Sequence, residues 1–235
     1  MKVLIIKNIS REGPGLLQNI LLENDILYDV IDLDIKEKIP ATDSYSAVVV
    51  FGGPDSANDD TEKMKQEIAT IQKVVESKTA YLGICLGMQA LVKACGGNIR
   101  KNDVAEIGWK GEDNKFFSTD ILNERLSDPI FSDLESSLPV FHLHGETVDL
   151  TDDMELLASG KYCENQIVKI GRSAYGFQGH FELTPEMFKE WADNDPELKV
   201  LDRSSLMEDF DTIYNSYQKL GRQIFINFLK IAGII

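Results

Sequence analysis

Over the first hundred positions, short apolar runs alternate with segments of helical spacing. Lys2–Ile6, Leu27–Leu33, Ser46–Phe51 and Tyr81–Ile84 are the runs, and Ser46–Phe51 contains three consecutive valines. Runs this short and this apolar predict strands, Ser46–Phe51 being buried on both faces of its sheet. Between them, Leu16–Glu23 reads as a helix. Thr61–Glu76 places Met64, Ile68, Ile71 and Val75 at helical spacing. Strand-helix alternation in this order predicts a parallel sheet covered by helices on both faces, with its active site beyond the carboxyl ends of the strands. Gly52-Gly53 and Cys85 fall at two such ends.

From about residue 98 to 182 the pattern changes. Glu106–Lys110, Val140–His144, Leu156–Ser159, Gln166–Ile170 and Ser173–Gln178 are short alternating segments, which predict antiparallel hairpins and sheet edges. From Pro185 the chain reads as helical. Phe210, Ile213, Tyr214, Tyr217, Leu220, Ile224 and Phe228 recur at spacings of three and four, an apolar stripe expected to pack on its own domain and to be broken or strained at Gly221.

Composition narrows the function classes. An apolar content of 43% supplies a sizeable core. The formal net charge of −15 counts against nucleic-acid phosphate or an anionic membrane surface as the main partner. Three cysteines, Cys85, Cys95 and Cys163, cannot all pair within one chain, and their spacing suggests neither a zinc site nor a disulfide framework. A cytoplasmic, reducing location is the expectation. The N-terminal apolar run is too short for a signal peptide, and none approaches membrane-spanning length.

The segment Gly83-Ile84-Cys85-Leu86-Gly87-Met88-Gln89 carries the clearest chemistry. A cysteine flanked by glycines at a strand-to-helix turn has the form of a nucleophile elbow, where a Cβ on either flank would clash. The following helix N-terminus favours thiolate. A cysteine nucleophile needs a base, and the base an orienting group. In His180-Phe181-Glu182, extended backbone turns His180 and Glu182 the same way, so that Glu182 can hold one imidazole nitrogen while the other faces Cys85. His142 and His144 share a strand face, but no acid or cysteine at ligand spacing completes a metal site, and no metal is expected. Phe51-Gly52-Gly53-Pro54-Asp55-Ser56 reads either as a phosphate cradle or as an oxyanion loop. Pro54 removes a donor from the first. The Cys85 elbow favours the second, with the N–H of Leu86 as the other donor.

Together these segments resemble the class I (triad) glutamine amidotransferase family, from Met1 to about Pro185. Gly52-Gly53-Pro54-Asp55-Ser56 is similar to its oxyanion loop, the Cys85 segment to its nucleophile motif, and Gly176-Phe177-Gln178-Gly179-His180-Phe181-Glu182 to its His-x-Glu motif, with Phe181 where the family has proline. Glu106-Ile107-Gly108-Trp109 and His144-Gly145-Glu146 resemble the branch that holds the GMP synthetase glutaminase domain, its free-standing members and the γ-glutamyl peptidases. The resemblance implies a three-layer α/β/α, flavodoxin-like fold: a mostly parallel central sheet with an antiparallel edge, residues 1–185 forming the amidotransferase domain and 186–235 a helical extension packed on it. It implies Cys85, His180 and Glu182 as catalytic residues, Gly53 and Leu86 as oxyanion donors, and Gly52, Gln89, Gly145 and Glu146 as substrate contacts, without a cofactor. Loss of the proline is expected to loosen Glu182 slightly.

Three functions follow from this reading. The first is a glutaminase that hydrolyses the γ-amide of glutamine to glutamate and ammonia through a Cys85 thioester, with a separate synthetase subunit as acceptor because no synthetase domain is attached. The second is a γ-glutamyl peptide hydrolase using the same residues. The third is a non-catalytic regulatory protein on this fold. The sequence leaves the oligomeric state open.

Overall fold

Along Lys2–Lys7 (β1), Val3 and Ile5 face one side of a sheet while Leu4 and Ile6 face the other. That two-sided burial organises the structure, a computed structural model describing all 235 residues. Gly15–Glu23 (α1), Leu27–Asp32 (β2), Ala47–Val50 (β3), Glu62–Glu76 (α2), Ala80–Ile84 (β4) and Leu86–Ala94 (α3) follow in order. Thr61 lies just outside α2 as its N-cap, its hydroxyl accepting from the N–H of Met64 at 3.2 Å. The later elements are Asn98–Gly108 (β5), Ser118–Ile121 (β6), Ser137–Pro139 (β7), His142–Asp149 (β8), Met154–Gly160 (β9), Ile167–Ile170 (β10), Ala174–Phe177 (β11), Pro185–Asn194 (α4) and Arg203–Ile231 (α5).

The main sheet runs β2-β1-β3-β4-β11-β10-β9-β6-β7. Its first five strands are parallel and the last four antiparallel, so the mostly parallel sheet with an antiparallel edge is as expected. Helices α1 and α5 cover one face through Leu16, Leu17, Ile20, Ile224, Phe225 and Phe228. Helices α2 and α3 cover the other through Met64, Ile71, Val74, Met88 and Leu91. A third cluster gathers α4 and the first half of α5 around Trp109 and Phe141.

Two local expectations need correction. Ser173–Gln178 does not form a sheet edge: β11 lies inside the sheet, parallel to β4 on one side and antiparallel to β10 on the other. The segments at Glu106–Lys110 and Val140–His144 pair antiparallel as expected, outside the main sheet. They contribute to β5 and β8, a separate antiparallel pair with a register shift between Lys101 and Glu106. Helix α5 runs unbroken through Gly221. Glycine is needed there for close approach, since a Cβ would stand 2.1 Å from the main-chain oxygen of Phe181. The glycine thus lets α5 press against the segment that carries His180 and Glu182.

Candidate functional site

Strand β4 ends at Ile84, and Cys85 turns the chain into α3 with φ 51° and ψ −108°. This is a strained conformation for a residue with a Cβ. The neighbouring packing explains how it is enforced. A Cβ at Gly83 would stand 2.3 Å from the Gly87 oxygen, and one at Gly87 would stand 2.2 Å from the Val50 oxygen. The N–H of Cys85 is tied to Phe177 of β11 at 2.8 Å. The first hydrogen bond of α3 runs from Gln89 to the Cys85 oxygen, which leaves the N–H of Leu86 outside the helical ladder at the positive end of the dipole.

His180 follows β11 by three residues. Its main chain pairs with Phe141 through N–H···O at 2.8 Å, and its ring meets Trp191 of α4 edge-on at 5.0 Å. Its Nδ1 lies 2.7 Å from Glu182 Oε1, with both side chains almost wholly buried. That contact leaves Nε2 for the cleft shared with Cys85. Burial is the largest influence on the imidazole and pulls its pKa down. The Glu182 carboxylate and the hydrogen-bonding thiol of Cys85 outweigh it, and the pKa is raised well above the usual histidine value. Phe181, in the place of the family's proline, does not loosen this pair. Its N–H donates to Glu182 Oε2 at 2.8 Å, a bond that proline cannot make.

The cleft has a volume of about 390 Å³, and Cys85, His180, Gly53, Pro54 and Leu143 are among its lining residues. At Gly52 a Cβ would meet Glu12 Oε2 at 2.6 Å, His180 Cε1 at 3.1 Å and Cys85 Cβ at 3.4 Å. At Gly53 it would meet Asn8 Cβ at 2.6 Å. Both glycines therefore answer to close packing at the site. Asn8 in turn donates from Nδ2 to the Phe51 oxygen at 3.2 Å and to Glu67 Oε1 at 2.9 Å, bracing this loop from behind.

The expected substrate contacts are placed less directly. Gln89 is buried, its Nε2 donating to the Glu146 main-chain oxygen and to Gln178 Oε1, each at 3.3 Å. Glu146 meets Gln89 through its backbone, and at Gly145 a Cβ would point into open space.

Several neighbours receive no role from the motifs. Gln178 directs Nε2 at Cys85 Sγ, 3.8 Å away, and the Leu143 oxygen lies at the same distance from the sulfur. Gln178 stands within the His-x-Glu segment, the one signal that points to it. Glu12, between β1 and α1, is 5% exposed and lines the cleft with Oε2 unpartnered. Burial, the largest influence, raises its pKa to about 7, with Glu182 also raising it and His180 lowering it.

An acid does complete the His142–His144 pair in space. The β5–β8 register sets Glu106 opposite His144, and the ligand atoms of Glu106, His142 and His144 lie within 4.8 Å of one another. His144 Nδ1 lies 3.0 Å from the Glu146 oxygen and its Nε2 3.0 Å from Glu106 Oε2, which also accepts from Gln166. His142 has both ring nitrogens unpartnered, and burial, with His144 and His180 nearby, pushes its pKa well below the usual value. The trio offers a metal-ligand set, but it is buried and lies outside the cleft lining.

A model described as glutamine amidotransferase class-I matches residues 16–195. The glutamine amidotransferase-like protein YfeJ of Salmonella typhimurium is 32% identical over 152 residues, covering 63% of this chain and 61% of that protein. Gamma-glutamyl peptidase 3 of Arabidopsis thaliana is 30% identical over 199 residues, covering 80% and 76%. A 26% identical match to the glutamine-hydrolysing GMP synthase of Herminiimonas arsenicoxydans covers 78% of this chain but 33% of that protein. The crystal structure of a glutamine amidotransferase from Thermotoga maritima superposes with a TM-score of 0.86 at 26% identity, covering 99% of this chain and 98% of that one.

Proposed function

The chain belongs to the class I glutamine amidotransferase family, and on that footing we propose that it hydrolyses the γ-amide bond of a γ-glutamyl compound through a thioester on Cys85. The carrying observation is the convergence of a strained cysteine at a helix N-terminus with the His180–Glu182 pair, both opening on one cleft. In this scheme Cys85 Sγ attacks the γ-carbonyl carbon. The N–H groups of Gly53 and Leu86 receive the developing oxyanion, each worth about 3 kcal/mol in comparable sites. His180 protonates the leaving nitrogen, then takes a proton from the water that opens the thioester. Glu182 holds the imidazole's tautomer and stabilises its charged form.

Glutamine is the smallest substrate that fits this chemistry, and it releases ammonia. If that ammonia is used in a synthesis, a separate synthetase subunit is the acceptor consistent with the GMP synthase likeness. A larger leaving group is the second reading. It is favoured by a cleft that extends past Cys85 to Asp195, Pro196 and Glu197, well beyond what ammonia occupies. Purified protein is incubated with glutamine and with γ-glutamyl dipeptides, and glutamate release is compared with that of Cys85→Ala. Faster release from glutamine supports the glutaminase, and faster release from a dipeptide the second reading. Equal release by the variant refutes both.

A further inference from the structure

Glu12 takes no part in the thioester chemistry, although it lies at the cleft with a buried, unpartnered oxygen. A buried carboxyl lacking a partner is unfavourable. Such a group at the wall of a cleft points to a ligand that completes it.

Its side of the site is fixed by Gly52. The Cβ position of that glycine stands 2.6 Å from Glu12 Oε2 and 3.1 Å from His180 Cε1, so the carboxyl lies beside the imidazole. His180 hands its proton to the departing nitrogen, and the leaving group therefore occupies this same side. Beyond Glu12 the wall continues through Arg11, Asp195 and Glu197. Arg11 is already paired with Asp195 Oδ2 at 2.7 Å. Asp195 Oδ1 accepts from the N–H groups of Glu197 and Leu198. Arg11 is thus engaged by Asp195, and neither Glu12 nor the exposed Glu197 forms an ion pair, the basic groups felt by Glu12 being the neighbouring His180 imidazole and, more weakly, Arg11.

We propose that this wall is a cation subsite for the leaving group, and that the preferred substrates are γ-glutamyl amides of amines bearing a second, positively charged nitrogen. This deepens the γ-glutamyl reading and rests on it. The C–S bond forms at the carbonyl carbon of the γ-amide, the C–N bond breaks, and the departing amine takes the proton from His180. One water then releases glutamate and restores the thiol, so the overall reaction is a hydrolysis without redox change. The distal ammonium is held by Glu12, with Glu197 adding attraction at the rim. A carboxylate on the leaving group, as in a γ-glutamyl dipeptide, meets repulsion from the same groups. The order of preference is cationic, then neutral, then anionic.

Three near-isosteric probes test this: the γ-glutamyl amides of 1,4-diaminobutane, n-pentylamine and 4-aminobutanoate. kcat/KM is measured for the unaltered protein, Glu12→Gln and Glu197→Gln, and Kd is measured calorimetrically in a Cys85→Ala background. The diamine amide is expected to exceed the pentyl amide by about tenfold, a difference typical of one favourable charge contact. Glu12→Gln is expected to bring that ratio to within about twofold, and Glu197→Gln, which sits on the surface and leaves the fold undisturbed, to lower it by a smaller factor. An unchanged ratio in Glu12→Gln, or a preference for the neutral or anionic probe, overturns the proposal. If no probe is hydrolysed yet Cys85→Ala binds the diamine amide more tightly and Glu12→Gln erases that difference, the subsite stands and the hydrolysis reading fails. Hydrolysis of all three without cation preference leaves that reading standing and overturns the subsite.

Discussion

Tyr217, on the C-terminal helix α5, donates its hydroxyl to the main-chain oxygen of His180 at 3.0 Å. The same hydroxyl accepts from the N–H of Leu183 at 3.1 Å, so one side chain clamps both ends of the segment that holds His180 and Glu182. Tyr217→Phe removes the clamp and leaves a buried donor without its partner. The expected cost is about 1–3 kcal/mol of stability. Urea unfolding and glutamate release are expected to show that loss together with a several-fold fall in kcat, because His180, the proposed base, loses its fixed position. Unchanged stability and kcat would mean that packing alone places His180.

The backbone at Cys85 separates function from stability. Glycine tolerates a φ of 51° that any residue with a Cβ adopts at a cost. Cys85→Gly and Cys85→Ala both remove the sulfur and are both expected to be inactive. The glycine variant is expected to be the more stable by about 1 kcal/mol, read from the thermal midpoint. Equal midpoints would show that the turn is not strained.

Glu182→Gln tests what raises the His180 pKa. The carboxylate is the strongest of the influences that raise the His180 pKa against burial. Its neutralisation is expected to move the His180 titration, followed by NMR of the ring Cε1–H, to lower pH, and to reduce turnover by roughly 10²- to 10⁴-fold. A titration that stays in place would assign the raised value to some other group.

Glu67 links the loop at Gly52-Gly53 to pH. Burial, the leading cause, raises its pKa from 4.5 to about 7. The folded state therefore binds this proton more tightly than the unfolded chain. The contribution is full below pH 4.5, is lost as pH rises from 4.5 to about 7, and is flat above that; it amounts to something on the order of 3 kcal/mol. Glu67→Gln keeps an acceptor for Asn8 and does not titrate. Urea unfolding at pH 5 and pH 8 is expected to show a smaller drop in the variant than in the unaltered chain, with the Glu12 share remaining because its pKa is raised over the same window. An identical drop in both proteins would contradict this assignment.

Much of this site was legible because its parts are local. The glycines at 83 and 87 follow from steric demands at one turn, and the 2.7 Å contact of His180 with Glu182 follows from extended backbone at i and i+2. Valine-rich runs announced the central strands because burial on both faces leaves no polar position. What lay hidden depends on distance along the chain. Glu12 reaches the cleft from another loop, and Glu106 meets His144 through a register set 38 residues apart. Gly221 reads as a helix weakness by propensity, whereas a contact with Phe181 across the fold makes it necessary. Tyr217 belongs to the apolar stripe by spacing, and nothing local shows that its hydroxyl serves the His180 segment.

Covalent capture reads out the nucleophile itself. The protein is incubated with an electrophilic glutamine analogue and digested, and adducts are located by mass spectrometry while glutamate release from γ-glutamyl substrates is followed in parallel. One adduct is expected, on Cys85, with loss of glutamate release in proportion to labelling, and neither adduct nor release in Cys85→Ala. Labelling at Cys95 or Cys163 with Cys85 unmodified, or glutamate release that survives Cys85→Ala, would contradict Cys85 as the nucleophile.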